Sequence, residues 1–150
     1  AENADFGLKI RIPAWAKKFS VNEKYKQENG FIVIRKKWNG KQTIQLEFFP
    51  EVKTGQDINK EYYFSYGPLV LAHSIKAVAA STKTYPLPGF TDLSYKPEKL
   101  ILYRYEKNKV EQTPKGSLEF TTTLLNPSGI AEQVTLQPMG KTILRQVTFK

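Results

Sequence analysis

The 150-residue sequence predicts an all-β fold, an antiparallel β-sandwich of jelly-roll-like type with at most one short helix. Three observations predict it. Apolar residues recur with period two in several short runs, which is the pattern of a strand with one buried face. Gly, Pro and Asn separate those runs at short intervals, as turns between strands require. Aromatic residues make up 13% of the chain, with 8 Tyr and 9 Phe, a composition that suits pleated surfaces.

The elements follow in order. Phe6-Gly7-Leu8-Lys9-Ile10-Arg11-Ile12 alternates without a break, and Pro13 ends it because it has no N–H for a ladder. Lys18-Phe19-Ser20-Val21-Asn22 reads as a short second strand. Phe31-Ile32-Val33-Ile34 is continuously apolar, as expected where both faces are covered. Asn39-Gly40 predicts a hairpin between the strand ending at Trp38 and Thr43-Ile44-Gln45-Leu46-Glu47-Phe48. In that second arm Ile44, Leu46 and Phe48 face inward.

Tyr62-Tyr63-Phe64-Ser65-Tyr66 and Leu69-Val70-Leu71-Ala72 read as one strand broken by a bend at Gly67-Pro68. A short helical piece is placed around residues 75–80. Residues 83–99 hold Pro86, Pro88, Gly89 and Pro97 and read as a long loop. Leu100-Ile101-Leu102-Tyr103-Arg104-Tyr105 is a further strand, as are 118–124, 133–137 and 142–149, with a turn at Asn126-Pro127-Ser128-Gly129. Residues 1–150 are expected to form one sandwich domain, with a soft subdomain boundary within 76–99 as the alternative.

Composition excludes several chemistries. The sequence has no Cys, which removes disulfides, thiolate nucleophiles and zinc–sulfur sites. One His argues against a histidine metal cluster or triad. The net charge is +9, spread evenly: residues 1–75 carry 12 basic and 8 acidic side chains, residues 76–150 carry 11 and 6. The longest basic run is Arg35-Lys36-Lys37, and Lys dominates over Arg, so a Lys-rich solvated surface is favoured over a nucleic-acid track. No apolar run is long enough to span a bilayer, so neither a nucleic acid nor a membrane is expected as partner. The sole Met is Met139, which reads as a piece of a longer or processed protein.

Familiar motifs fail on position. Gly140-Lys141-Thr142 resembles the end of a phosphate loop, but Thr135 occupies the place of its first Gly. Asp57-Ile58-Asn59-Lys60-Glu61 has the oxygen spacing of a calcium loop, but Tyr62 and Pro68 replace the Gly and Glu it needs. Asn29-Gly30-Phe31-Ile32-Val33-Ile34 lacks the alternate aromatics of an RNA-reading strand and reads as core. His73 ends an apolar run and reads as a hydrogen-bonded core or edge residue. The carboxylate pairs Glu47/Glu51 and Asp57/Glu61 read as surface groups. No metal or organic cofactor is expected. The remaining chemical feature is aromatic: Trp15 and Trp38, with Tyr62 and Tyr85 as lesser candidates, could stack on sugar rings, against the alternative that both Trp pack the ends of the sandwich.

A set of segments carries a resemblance. Arg11-Ile12-Pro13-Ala14-Trp15-Ala16, Val21-Asn22, Gly30-Phe31-Ile32-Val33-Ile34-Arg35-Lys36-Lys37-Trp38, Thr43-Ile44-Gln45-Leu46-Glu47-Phe48 and Tyr66-Gly67-Pro68-Leu69-Val70-Leu71-Ala72 occur in this order. Together they resemble the region after the catalytic domain in the beta-L-arabinofuranosidase-like glycoside hydrolases. The stretch 138–149 resembles the C-terminal end of the same proteins. Asn22-Glu23-Lys24 and Gly40-Lys41-Gln42 depart from the family pattern, both in turns. The resemblance implies a non-catalytic C-terminal accessory domain that packs on an upstream helical-barrel catalytic domain of the same polypeptide. The family's catalytic Cys, Glu and zinc ligands belong to that barrel, and none can be carried onto this chain. The resemblance further implies a bacterial periplasmic or secreted setting. The alternative is a carbohydrate-binding module for plant polysaccharide.

Overall fold

The computed structural model describes residues 3–150. It is all-β with antiparallel sheets, as the sequence predicts, and its backbone contacts divide it into two compact units, Ala1–Glu51 and Val52–Lys150. Residues 76–99 lie inside the second.

The first unit holds five strands: β1 (Ala4–Arg11), β2 (Lys18–Val21), β3 (Lys26–Glu28), β4 (Phe31–Trp38) and β5 (Leu46–Phe49). They form a three-stranded sheet in the order β1-β4-β3 and a two-stranded sheet β2-β5. Ile32, Ile34 and Trp38 of β4 are buried, and Leu8 and Ile10 of β1, Phe19 and Val21 of β2, and Leu46 of β5 pack against them. The two sheets therefore share one core, a small sandwich. Val33, on the opposite face of β4, is also buried, but Phe31 on that face is exposed, so the continuous apolar run is fully covered on one side only.

Asn39-Gly40 does not make the expected hairpin. Leu46–Phe49 pairs with Lys18–Val21, in the other sheet. The hairpin turn is instead Asn29-Gly30, which joins β3 to β4 with Glu28 opposite Phe31. Asn29 and Gly30 both have positive φ (48° and 78°), the signature of a type I′ turn, whereas at the second Asn-Gly pair only Gly40 does. With β3 on one edge of β4 and β1 on the other, the chain after Trp38 crosses to the facing sheet. The alternation of the arm survives: Ile44, Leu46 and Phe48 are more buried than Thr43, Gln45 and Glu47.

The second unit is built on an eight-stranded sheet and a two-stranded ribbon. The sheet holds β6 (Val52–Gln56), β7 (Tyr62–Tyr66), β8 (Leu69–Ile75), β11 (Arg104–Tyr105), β12 (Glu111–Gln112), β13 (Phe120–Leu125), β14 (Ala131–Pro138) and β15 (Leu144–Gln146), and the ribbon holds β9 (Ala77–Thr84) and β10 (Thr91–Pro97). The main path runs β11-β13-β14-β8-β7-β6, with β12 on β13 and β15 on β8. Phe149 exchanges both backbone hydrogen bonds with Tyr62, and the Tyr105 N–H donates to the Lys150 carbonyl at 2.8 Å. The last residues thus bridge β7 and β11, curling the sheet around Phe64, Leu71, Phe120, Leu124, Leu136 and Phe149, all fully buried.

Three further expectations are corrected here. Gly67-Pro68 is a hairpin turn, not a bend within one strand, because Tyr66 pairs with Leu69 and Gly67 has φ of 56°. Gly followed by a residue of negative φ fits the type II′ turn, and Pro supplies that φ. Residues 75–80 are extended, and the only helical turn among the described residues is the 3-10 turn Met139–Lys141. Alanine's helix propensity at 77, 79 and 80 yields to pairing with β10. Residues 83–99 are accordingly not one long loop: 85–90 turn between the two arms of the ribbon, and 98–99 bend after the second arm ends at Pro97.

Candidate functional site

The four aromatic candidates are divided between the units, Trp15 and Trp38 in the first and Tyr62 and Tyr85 in the second. Trp38 is 8% exposed and belongs to the core of the first unit. Its indole N–H donates to the Phe6 carbonyl at 3.0 Å, and its ring stacks on Phe6 with centroids 5.0 Å apart and planes 16° apart. The Lys36 ammonium lies 4.7 Å from the ring centroid, held by an ion pair with Glu23. A ring so enclosed is an anchor of the sandwich rather than a sugar platform, which corrects the expectation for Trp38. Trp15 follows Pro13, where the Ala16 N–H closes a turn on the Pro13 carbonyl at 2.9 Å. It is half-buried, with its ring edge-on to Phe48 at 5.7 Å.

In the second unit Tyr62 is half-buried on β7, edge-on to Tyr105 at 5.2 Å. Tyr85 stands at the ribbon's tip, where its hydroxyl donates to Asp92 at 2.9 Å and the Lys83 ammonium sits 4.6 Å over its ring. The two tyrosines stand in different sheets of that unit.

The carboxylates are engaged in local structure. Asp57 accepts the N–H groups of Asn59 and Glu61, each at 2.9 Å, and so fastens the β6–β7 turn. Glu61 accepts the Thr148 hydroxyl at 2.6 Å, and Glu51 pairs with Lys18 at 3.2 Å. Glu132 accepts the Tyr103 hydroxyl at 2.7 Å and the Asn126 amide at 2.6 Å. Those bonds, Tyr103's first, hold its carboxyl below the usual carboxylate range. Tyr103 shifts the opposite way, raised by burial first and by Glu132 second. The Lys109 ammonium likewise lowers Glu111. A general acid needs a carboxyl pushed upward, and these two are pushed down. Among the described residues no group of three His, Cys, Asp or Glu is placed to hold a metal ion.

Two surfaces that the sequence reading missed have the shape of binding sites. On the first unit, two depressions of about 420 and 310 Å³ share Val33 and Arg35 on the outer face of β4. Lys24 and Lys26 line one beside the exposed Tyr25, and Lys9 lines the other, where Phe6 turns its ring to the opposite face onto Trp38; Glu28 and Asp5 are the only carboxylates lining them. On the second unit, an open groove of about 810 Å³ runs between residues 100–104 and 145–150. The signal for the first was the period-two placement of cations on outward positions of β1 and β4. The second depends on segments some 40 positions apart and had no local signal.

Comparison with known proteins adds one match. Residues 1–49 match a family model described as beta-L-arabinofuranosidase, GH127 middle domain. No curated protein and no solved structure matches the chain. The matched stretch ends two residues short of the first unit's boundary, whereas the resembling segments at 66–72 and 138–149 lie outside it. The description is of a middle domain, where the resemblance implies a C-terminal one. The first unit of this chain is therefore a β-sandwich similar to the middle domain of the GH127 beta-L-arabinofuranosidases.

Proposed function

We propose that the chain is a non-catalytic accessory region of a glycoside hydrolase, in which the two units together pack on and stabilise a helical-barrel catalytic domain upstream in the same polypeptide. The observation that carries this reading is the match of residues 1–49 to a GH127 middle domain. The engagement of Asp57, Glu61 and Glu132 in turns and hydrogen bonds supports it, since these carboxylates serve the fold. Two measurements test it. The isolated chain should not hydrolyse aryl arabinofuranosides, and deleting it from the parent polypeptide should lower the melting temperature of the catalytic domain. Turnover by the isolated chain that a single Glu or Asp substitution abolishes would overturn the reading, as would a catalytic domain indifferent to the deletion.

A second reading, carbohydrate binding, is favoured by one observation: the exposed Tyr25 beside a basic depression of the first unit. Trp15, Tyr62 and Tyr85 remain candidates for stacking on plant polysaccharide, because each keeps part of its ring surface open. Affinity electrophoresis through arabinan, arabinoxylan and pectin should show retardation that Tyr25→Ala reduces. Unretarded migration in all three rejects this reading.

A further inference from the structure

The sequence prescribes a strand over residues 100–105, but only Arg104 and Tyr105 find a strand partner, on β13. Residues 100–103 keep the strand's alternation without its pairing. Ile101 and Tyr103 turn inward to the core, while Leu100 and Leu102 are 59% and 53% exposed. Arg104 is exposed on the same face, so positions 100, 102 and 104 present two aliphatic side chains and a cation in a row. Among the described residues, no hydrogen bond engages the backbone of Leu100 or Leu102.

The stretch is nonetheless held in place. The Gln146 amide accepts the Tyr103 N–H at 2.8 Å and donates to the Tyr103 carbonyl at 2.8 Å, doing with a side chain what a neighbouring strand would do with its backbone. The groove opens over this seam. Arg145 and Lys150 line its far side, so three cations face it. The one carboxylate there, Glu61, already accepts the Thr148 hydroxyl. Arg145 is braced by the Thr142 carbonyl at 2.9 Å, which fixes its guanidinium at the rim.

We propose that this groove receives an extended segment of a partner polypeptide in which aliphatic residues alternate with acidic ones. The aliphatic side chains would lie on Leu100 and Leu102, and the carboxylates would reach Arg104, Arg145 and Lys150. Charge selects the occupant: a surplus of cations around an aliphatic floor suits an acidic peptide. A second copy of this chain, with 23 basic and 14 acidic residues, is a poor source of one. Sugars stack on flat aromatic rings, and the exposed apolar side chains here are leucines. The inference does not rest on the accessory reading, because it uses only the second unit's own geometry.

The test is fluorescence anisotropy with the full 150-residue chain and a labelled short peptide alternating glutamate with leucine or valine. A twin with lysine in place of glutamate is the control. Saturable binding of the acidic peptide alone is expected. Arg104→Glu and Leu102→Asp should each weaken it about tenfold, while Lys115→Glu, in a turn outside the groove, should not. Near-UV circular dichroism checks that each variant folds, and Lys150→Glu replaces any that does not. Hydrogen exchange should show the amides of Leu100 and Leu102 protected only with the peptide bound. Absence of saturable binding, equal binding of the twins, or full binding by Leu102→Asp overturns the proposal. So does self-association that Leu102→Asp abolishes, or binding of polygalacturonate in the peptide's place.

Discussion

Single side chains in this protein show their roles through the partners they find. Trp38 is a wide aromatic at a strand end, a position that suits a ligand platform or a plug equally well. Its hydrogen bond to Phe6 and its stacking on the same residue make it the plug. Thr122 is the contrary case. It is 4% exposed between Phe120 and Leu124 on the inward face of β13, and its hydroxyl has no partner among the described residues. An unpaired buried hydroxyl costs free energy that an isosteric methyl does not, so Thr122→Val should raise stability by about 1 kcal/mol. Urea denaturation checks this, and a lowered midpoint would show that the hydroxyl is satisfied. Glu132 links the residue scale to pH. Its folded carboxyl sits below the usual carboxylate range, so the charged form is preferred in the native state. The stability it contributes is present above the ordinary carboxylate range and is lost as pH falls through its lowered value. Glu132→Gln should flatten the acid limb of the stability profile. Parallel limbs for the two proteins, compared by urea midpoint from neutral to acid pH, would assign acid sensitivity to other groups.

Strands were legible where their own alternation carried the signal, and pairings were not. The burial pattern of the Thr43–Phe48 arm is as predicted, although its partner is β2 rather than β4. Side-chain period depends only on the backbone of one strand, whereas pairing depends on which edge remains free. That difference yields a test. Leu46→Asp places a charge against the Ile32 and Ile34 core and should cost about 3 kcal/mol. Gln45→Asp, one position away and exposed, should change stability by about 0.5 kcal/mol or less. Equal losses in thermal melts would contradict the register. The same principle explains the turns. Two Asn-Gly pairs look alike in sequence, yet only Asn29-Gly30 has both residues at positive φ and strands on either side that can meet. The ribbon β9–β10 shows tertiary pairing overriding local preference, since an alanine-rich stretch becomes a strand once Thr91–Pro97 lies beside it. Tyr63 and Gly55, directly opposite on β7 and β6, show pairing at its closest. The tyrosine ring lies over the glycine where a β-carbon would strike it.

For the molecule as a whole, charge and architecture make separate statements. The net charge of +9 and isoelectric point near 9.6 describe how the chain meets other polyions, and say nothing of its fold. Adsorption to an anionic resin or to DNA should be weak and should vanish at moderate salt, because dispersed lysines act through screened, long-range attraction. Retention that survives high salt would point to a built nucleic-acid site. The all-β class, the absence of cysteine chemistry, and the similarity of the first unit to a GH127 middle domain were all determined by the sequence, because composition, period and motif order are local properties of the chain. Only the tertiary structure decided that Trp38 is sealed in a core, that two compact units divide between Glu51 and Val52, and that Leu100, Arg104, Arg145 and Lys150 share one groove. Those are facts of proximity between distant segments, and edge availability and sheet curvature set proximity only once the whole chain has folded.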